Sequence, residues 1–368
     1  MRVGIFGVAG FNRGDDAISF SLARWIRDRV PTAELTVAVL RDMEGHLECA
    51  NKQVVINRRS VGGLIRLARA IRRQDVILLG GGSLIQDKHG GGKVKGPLGY
   101  AWFVTFFARM LGRPVMSVAL GVDHLGTSQG RAAAKQVLGR LHRISVRDPL
   151  SAANVRDLVG PAVAIMETPD PAFSYGKGAI RAQADDYVVL APAFEGVDEG
   201  MIASIFAEIA ARILAEHKSF HVKIISMEER AEEDAGKIHR IRDALPAEDR
   251  QRVSLVSPTS AIEACNILRG GRGVVAMRLH ALILAYGFSP LFCLSRTTKT
   301  EALMRGYLIA GREMNDLGDD LPTSVMHALH DSEHHKAQAA LRVELDQRMI
   351  VAADTLVSTI TELATSKG

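Results

Sequence analysis

Short apolar runs alternate with amphipathic stretches along the chain, and this alternation constrains the fold more than any other sequence feature. In the first half, strands are predicted at 3–9, 35–40, 54–56, 76–79, 115–120, 143–146 and 162–166. Helices are predicted between them at 16–30, 62–72, 97–111, 130–140 and 149–159. Strands that read as continuous apolar runs, each followed by a helix, are typical of a parallel sheet covered on both faces.

A second alternation begins at 187–191, after a stretch at 174–186 that is rich in glycine, alanine and charge and is predicted to be a linker. Further strands are predicted at 221–225, 253–255 and 273–277, and helices at 201–217, 229–245, 261–268 and 332–363. A chain of 368 residues exceeds the usual size of a single core. We therefore predict an α/β fold of two Rossmann-like domains, 1–180 and 181–368, that face a central cleft (GT-B-like). The C-terminal helix is expected to return to the first domain.

The composition indicates which kinds of binding partner and which cellular compartment suit this chain. The net charge of +5 fits an anionic small substrate or an anionic membrane surface, whereas an aromatic content of 5% argues against a nucleic-acid platform. Three widely spaced cysteines predict neither disulfides nor a zinc site. No signal peptide or spanning helix is predicted, which favours a cytoplasmic protein. The apolar run at 100–108 is compatible with peripheral contact at the inner face of the membrane, and a homo-oligomer is left open.

Arg278 and His280 follow the apolar run 273–277, so a buried strand is expected to deliver both side chains at its C-terminal end. In open α/β sheets, ligands bind at that edge. A guanidinium beside an imidazole suits a phosphate or a carboxylate. A structural ion pair at the strand end is an equally open interpretation of Arg278.

Glycines and carboxylates follow two strands of the first half. Residues 7–16 (GVAGFNRGDD) lack the dinucleotide-binding spacing, and Asp15 is a candidate for orienting sugar hydroxyls or acting as a base. Residues 80–87 (GGGSLIQD) end without the lysine of a phosphate loop and, taken alone, favour a tight turn. The basic stretch 88–96 is interpreted as a lid or as a plain surface loop.

Two further strands are expected to end in charged residues. Arg147 follows the strand at 143–146, and Asp170 follows the last strand of the first domain. The convergence of such strand ends is typical of an active site between domains. The acidic stretch 228–234 is interpreted instead as an exposed helix face.

Five motifs together resemble the polysaccharide pyruvyl transferase family, in the family's order and over most of the chain. They are residues 12–18 (NRGDDAI), 79–87 (LGGGSLIQD), 145–148 (SVRD), 170–173 (DPAF) and 277–280 (MRLH). The resemblance implies a GT-B-like fold. It also implies transfer of pyruvate from phosphoenolpyruvate to two hydroxyls of a sugar, in a cell-surface polysaccharide or its lipid-linked precursor.

The resemblance also implies roles for individual residues. Donor binding carries over to Arg147, Arg278 and His280, and Lys299 resembles the lysine of a family segment. Arg296 and Thr297, or their neighbours, stand where that segment has tyrosine and aspartate, so the role of Lys299 stays open.

Residue chemistry adds a hypothesis about mechanism. We predict His280 as the acid or phosphate partner, because imidazole side chains generally exchange protons near neutral pH. The sugar hydroxyl would give its proton to Asp15 or Asp87. Substrate-binding positions are completed by Asn12, Gly81, Gly82 and Ser83. The reaction needs no metal or redox cofactor, and the sequence contains no dedicated site for either.

Two other functions stay open at this point. A GT-B glycosyltransferase would use the same fold and would need a nucleotide pocket, for which Glu301 is a candidate carboxylate. A non-catalytic family member is the third possibility, because the segment around Lys299 departs from the family pattern.

Overall fold

The structure is a computed structural model that describes all residues except 44–48, 58–59, 89–95, 177–184, 231 and 366–368. Contacts divide the chain into two compact units. The first unit comprises Met1–Gly10, Asp15–Ser174 and Gln347–Gly368, and the second comprises Phe11–Gly14 and Tyr175–Asp346. Most of the predicted linker at 174–186 and of the basic stretch at 88–96 lies outside the described residues.

The first unit is built on a parallel five-stranded sheet with the order β3-β2-β1-β4-β5. Its strands are β1 (Arg2–Ala9), β2 (Glu34–Val39), β3 (Lys52–Val55), β4 (Val76–Gly80) and β5 (Val115–Val118). A short parallel pair, β6 (Ile144–Val146) and β7 (Ile165–Glu167), continues the order, because single bridges join the β5 region to β6. The connecting helices are α1 (Arg13–Arg29), α2 (Val61–Arg72), α3 (Gly96–Met110), α4 (Ser128–Leu138) and α5 (Pro149–Val159).

Burial explains why these elements form. All five residues of β4 are buried, as expected for a central strand with helices on both faces. Helix α2 begins at an N-cap serine, Ser60, whose side chain accepts a hydrogen bond from the Gly63 amide, and it buries Leu67 and Ile71 one turn apart. The polar ends of the strands are thereby left at the C-terminal edge of a rigid sheet.

The second unit contains a parallel six-stranded sheet with the order β10-β9-β8-β11-β12-β13. Its strands are β8 (Tyr187–Ala191), β9 (His221–Ile225), β10 (Val253–Val256), β11 (Gly273–Ala276), β12 (Leu291–Ser295) and β13 (Ala310–Glu313). Its helices are α6 (Glu199–Glu216), α7 (His239–Asp243), α8 (Ala247–Arg250), α9 (Ala261–Gly270), α10 (Leu279–Ala285), α11 (Thr298–Gly306) and α12 (Leu321–His330). Both units therefore have the parallel, Rossmann-like arrangement that the alternation of apolar runs predicted.

The last helix, α13 (Ser332–Thr365), begins among residues of the second unit and ends among residues of the first. In the second unit, Arg342 donates a hydrogen bond to the carbonyl of Tyr286 at 2.7 Å and lies over the ring of Phe288. In the first unit, Leu356 and Ile360 of the same helix are buried. The predicted return of the C-terminal helix is thus confirmed.

One predicted helix is wrong. The sequence predicted a continuous helix over 229–245, but within the described part of this stretch only His239–Asp243 and the residue or two flanking it are helical. The preceding residues form turns that bury Asp234 completely. The turns before α7 bury the charged Asp234 against Arg278, whereas the apolar residues Ile238, Ile241 and Leu245 pack into the core.

Candidate functional site

Arg278 is held at the end of β11 by a buried ion pair. Its Nε donates a hydrogen bond to Asp234 Oδ2 at 2.6 Å, and Asp234 is fully buried. Burial lowers the pKa of Arg278, but the charge and hydrogen bond of Asp234 outweigh it, so that the pKa is raised. Within the described part of the chain, Nη2 of Arg278 is buried and has no hydrogen-bond partner. A fixed guanidinium with one unsatisfied donor is suited to an anionic ligand.

Asp234 is the partner of Arg278 that the sequence analysis missed, because it stands in the stretch interpreted as an exposed acidic face. That interpretation is wrong for its two ends. Asp234 accepts hydrogen bonds from Arg278 and from the amide of Phe194, and Glu228 is 4% exposed. Glu228 forms a two-point ion pair with Arg230, whose pKa is raised by it. The sequence did contain one sign of such pairing, because Arg230 stands among the acidic residues. An acidic face that is only solvated would not require a cation at that position.

Two further charged side chains, Arg296 and Glu233, interact electrostatically with Arg278. Arg296, which follows β12, donates a hydrogen bond to the carbonyl of Glu195, and its pKa is lowered, chiefly by burial and also by the charge of Arg278. The pKa of Glu233 is raised, chiefly by burial, although the charges of Arg230 and Arg278 act in the opposite direction. Glu233 therefore keeps its proton to a higher pH than an ordinary glutamate.

His280 lies directly against the backbone of Gly14. A Cβ atom added to Gly14 would lie 2.1 Å from Cγ and Nδ1 of the imidazole, far inside contact distance. The amide of Gly14 donates a hydrogen bond to Asn12 Oδ1 at 2.9 Å, so the side chain of Asn12 caps the start of α1. A glycine is required at this position because the ring occupies the space that any side chain would need.

Arg13, the first residue of α1, is nearly inaccessible at 2% exposure. Its Nε donates to the carbonyl of Pro258 at 2.8 Å, and its Nη2 pairs with Glu229 at 2.5 Å. The Arg13 amide also donates to the carbonyl of Met227. These contacts fix residues 11–14 to the second unit and thereby hold Gly14 against His280.

Lys299 is placed on α11, the helix that follows β12. Because β12 is the neighbour of β11 in a parallel sheet, Lys299 and Arg278 both follow strands at the same C-terminal edge. The helix begins with a capping box in which Thr297 and Thr300 exchange hydrogen bonds between side chain and backbone. Thr297 therefore serves the helix start in this chain. Glu301 stands in the first turn of α11.

In the first unit, the glycine cluster forms a tight turn after β4. Gly81 and Gly82 both have φ +78°, a conformation that L side chains rarely adopt. A Cβ atom on Gly81 would meet Ile18 at 2.1 Å, and one on Gly82 would meet the carboxylate of Asp15 at 2.6 Å. The turn thus brings its backbone against Asp15, which is half-buried.

Arg147 follows β6, as predicted, and is bound by three side chains of the first unit. Its Nε pairs with Asp148 at 3.1 Å, its Nη1 with Asp170 at 3.6 Å, and its Nη2 donates to Ser83 Oγ at 3.0 Å. The side chain is 5% exposed and that of Asp170 is 4% exposed. Two carboxylates therefore pair with the guanidinium, which connects the glycine turn to the ends of β6 and β7.

The carboxylate of Asp87 is engaged in hydrogen bonds with the residue that caps α4. Its Oδ2 accepts hydrogen bonds from the amide and the hydroxyl of Thr127, both at 2.8 Å, and Thr127 is the N-cap of α4. Of the two carboxylates considered as a base, Asp15 is the one beside the glycine turn, whereas Asp87 stabilises the start of a helix.

Replacing Asp87 by alanine is expected to cost about 1 kcal/mol of stability, because the cap of α4 loses its acceptor. Catalytic turnover of the folded variant should change by less than about threefold, which corresponds to less than 1 kcal/mol. Thermal unfolding would check the first value, and the turnover of the folded variant would check the second. A large loss of turnover with unchanged stability would return Asp87 to the role of base.

Comparison with known proteins identifies a sequence family that matches a long segment of this chain and solved structures that have a similar fold. A sequence profile described as "Polysaccharide pyruvyl transferase" matches residues 12–289. A search of curated proteins found no significant match. Among solved structures, the UDP-GlcNAc 2-epimerase of Neisseria meningitidis bound to UDP-GlcNAc aligns with a TM-score of 0.64 at 12% identity, over 98% of this chain and 100% of that chain.

Glycosyltransferases are also similar in structure. The ADP-heptose lipopolysaccharide heptosyltransferase II of E. coli aligns with a TM-score of 0.52 at 16% identity, over 89% of this chain and 97% of that one. UGT89C1 of Arabidopsis thaliana, solved with quercetin, aligns with a TM-score of 0.58 at 10% identity, over 98% and 99%. At such low identities these similarities show the GT-B-like fold alone.

The family match is of a different kind, because it covers well over half of the chain. It includes the start of α1, the glycine turn, Arg147, Asp170 and the Arg278–His280 pair. This chain belongs to the polysaccharide pyruvyl transferase family, a family of transferases.

Proposed function

We propose that the protein transfers pyruvate from phosphoenolpyruvate to two hydroxyls of a sugar in a cell-surface polysaccharide or its lipid-linked precursor, forming a cyclic ketal and releasing phosphate. Arg278 carries the proposal. It is a guanidinium fixed by a buried carboxylate at the C-terminal end of a strand, with Nη2 unsatisfied among the described residues and His280 two residues away. Phosphoenolpyruvate offers both a phosphate and a carboxylate, each a strong acceptor for such a donor.

The proposed chemistry begins with a proton. An acid adds it to the methylene carbon of the donor, which gives the central carbon oxocarbenium character. A first sugar hydroxyl attacks that carbon and loses its proton, the carbon–oxygen bond to phosphate breaks, and the second hydroxyl closes the ketal. Of the two hydroxyl protons, one replaces the proton spent on the methylene carbon and the other leaves with phosphate.

Three residues are assigned to these steps. His280 is the proposed acid, since imidazole exchanges protons near neutral pH. Asp15 is the proposed acceptor of the hydroxyl proton, because the capping hydrogen bonds of Asp87 leave it the poorer candidate. Arg147 is proposed to position Ser83 and the glycine turn for substrate, since its own charge is balanced by Asp148 and Asp170.

Titration calorimetry tests the donor directly. The protein is expected to bind phosphoenolpyruvate, and uridine and guanosine diphosphates are expected to give no heat. His280→Gln should retain most of the donor affinity while phosphate release with an acceptor falls by about 100-fold or more, the usual contribution of a general acid. Arg305→Ala is the matched control, because Arg305 is exposed on α11.

Two outcomes would overturn the proposal. Binding of a nucleotide without phosphoenolpyruvate would make the protein a glycosyltransferase, as the fold permits. Binding of neither class of ligand by the folded protein would favour a non-catalytic family member.

A further inference from the structure

Positive charge is concentrated in three segments of the first unit. Residues 61–73, 96–113 and 128–143 contain ten lysines and arginines and no aspartate or glutamate. The rest of the chain holds 36 basic and 41 acidic residues, so its net charge is negative. These segments comprise α2, α3 and α4 with the residues that directly follow each helix, and they are called the basic face below.

The three helices lie side by side. They connect β3 to β4, β4 to β5 and β5 to β6, which are successive steps in one direction across the sheet. Crossovers of constant hand place such helices on one side of a sheet. Their inner residues, including Leu67, Val104 and Val137, belong to a single apolar core. The remaining sides of the helices form one continuous surface.

Among the residues that the structure describes, no carboxylate forms an ion pair with most cations of the basic face. Seven of the ten are exposed: Arg66, Arg69, Arg72, Arg73, Arg109, Lys135 and Arg143. Among the described residues, only Arg131 and Arg143 of the ten form ion pairs, with Asp157 and Glu362. The pKa of Arg140 is lowered, chiefly by burial and also by the charge of Arg109, which shows that cations lie close together here.

Apolar groups are interspersed with these cations. Val61, Ile65 and Met110 are 75%, 45% and 67% exposed. Trp102 and Phe106, both half-buried, stack on successive turns of α3 with their ring centres 4.9 Å apart, and the guanidinium of Arg140 lies 4.9 Å from the centre of the Trp102 ring. Aromatic rings beside arginines are the composition of protein surfaces at the interface between water and lipid.

We propose that the basic face docks on a bilayer that contains anionic phospholipid. Unpaired cations attract the phosphates of such lipids, and the scattered aliphatic and aromatic side chains bury their surface at the headgroup level. The apolar groups are spread along α2 and α3, which suits an extended fluid surface. No helix in the described part of the chain is long and apolar enough to cross a membrane. The inference goes beyond the proposed function, and it fits an acceptor that is carried on a lipid.

Sedimentation with vesicles tests the proposal. The protein should bind vesicles of phosphatidylcholine mixed with phosphatidylglycerol at low salt, release them at high salt, and ignore vesicles of phosphatidylcholine alone. Arg66→Glu/Arg109→Glu should weaken partition by about 100-fold. Arg305→Glu/Lys336→Glu is the control: it makes the same change of net charge at two exposed cations of the second unit and should bind like the wild type.

Several results would overturn the proposal. These are no binding to anionic vesicles, an equal loss in the control, or a wild-type protein that self-associates through the basic face and becomes monomeric in the variant without binding vesicles. Preferential binding of a nucleic acid would do the same. Should the first variant misfold, Arg72→Glu/Arg73→Glu replaces it. Phosphoenolpyruvate binding is measured on the same variants and should not change, so failure here is distinguishable from failure of the proposed function.

Discussion

Replacing Arg278 by alanine is expected to abolish phosphoenolpyruvate binding and to lower the free energy of unfolding by about 3–5 kcal/mol. The second effect follows from Asp234, which is fully buried and would keep its carboxylate without a cation. The first follows from the loss of the fixed guanidinium whose Nη2 has no hydrogen-bond partner among the described residues. Chemical denaturation and calorimetry measure the two effects separately.

A second variant separates structure from binding. In Arg278→Ala/Asp234→Asn, the buried charge is removed, while an amide oxygen can still accept the hydrogen bond from the Phe194 amide. Stability should recover by about half or more of the loss, because the uncompensated charge is the costly part. Donor binding should stay lost. If binding returned together with stability, Arg278 would be a structural residue only, and the donor site would lie elsewhere.

Replacing Gly14 by alanine is expected to lower phosphate release by about 100-fold or more, provided that His280 acts as an acid. The new methyl group would coincide with the imidazole ring, since its Cβ would lie 2.1 Å from two ring atoms. The ring or the helix must move, and overpacking of this kind costs about 1–3 kcal/mol. The steady-state rate and the thermal unfolding midpoint would both fall.

Gly306→Ala is the matched control for that variant. Gly306 also stands in a helix, and a Cβ atom there would meet nothing within 4 Å. Alanine has the higher helix propensity, so this substitution should leave stability unchanged or raise it by up to about 1 kcal/mol. Wild-type activity in Gly14→Ala, with its stability also retained, would show that the close approach of Gly14 to His280 has no functional role.

Much of the fold could be predicted because its causes are local and repetitive. Strands such as β4 and β8 are apolar on both faces, so that their burial was visible as unbroken apolar runs. The positions of Arg147 and Arg278 after their strands were predictable for the same reason. The turns before α7 were not, because the burial of Asp234 there depends on an ion pair with a residue far away in the chain. Asp234, for example, is 44 residues from Arg278.

The hydrogen-bond and ion-pair partners of the site residues could not be predicted from the sequence either. Asp15 and Asp87 are chemically identical in the sequence, yet one lies against the glycine turn and the other accepts hydrogen bonds from Thr127, the N-cap of a helix 40 residues further along. Arg147 was predicted to bind an anion, and the sequence did not indicate that two carboxylates pair with its guanidinium. Hydrogen bonds between distant segments decide such roles, and the spacing of residue types does not encode them.

The network around Arg147 has a consequence for how this protein can evolve. Ser83, Asp148 and Asp170 come from three separate segments, one of which also holds Arg147, and they meet on the nearly inaccessible guanidinium of Arg147. Substitution of any one of these residues leaves a buried charge or hydrogen-bond donor without its partner. Single substitutions are therefore destabilising even where a coordinated set of substitutions would be tolerated. Relatives should therefore either conserve all four residues or replace them together. A relative in which only one of the four is substituted should also differ in the packing around this site in the first unit.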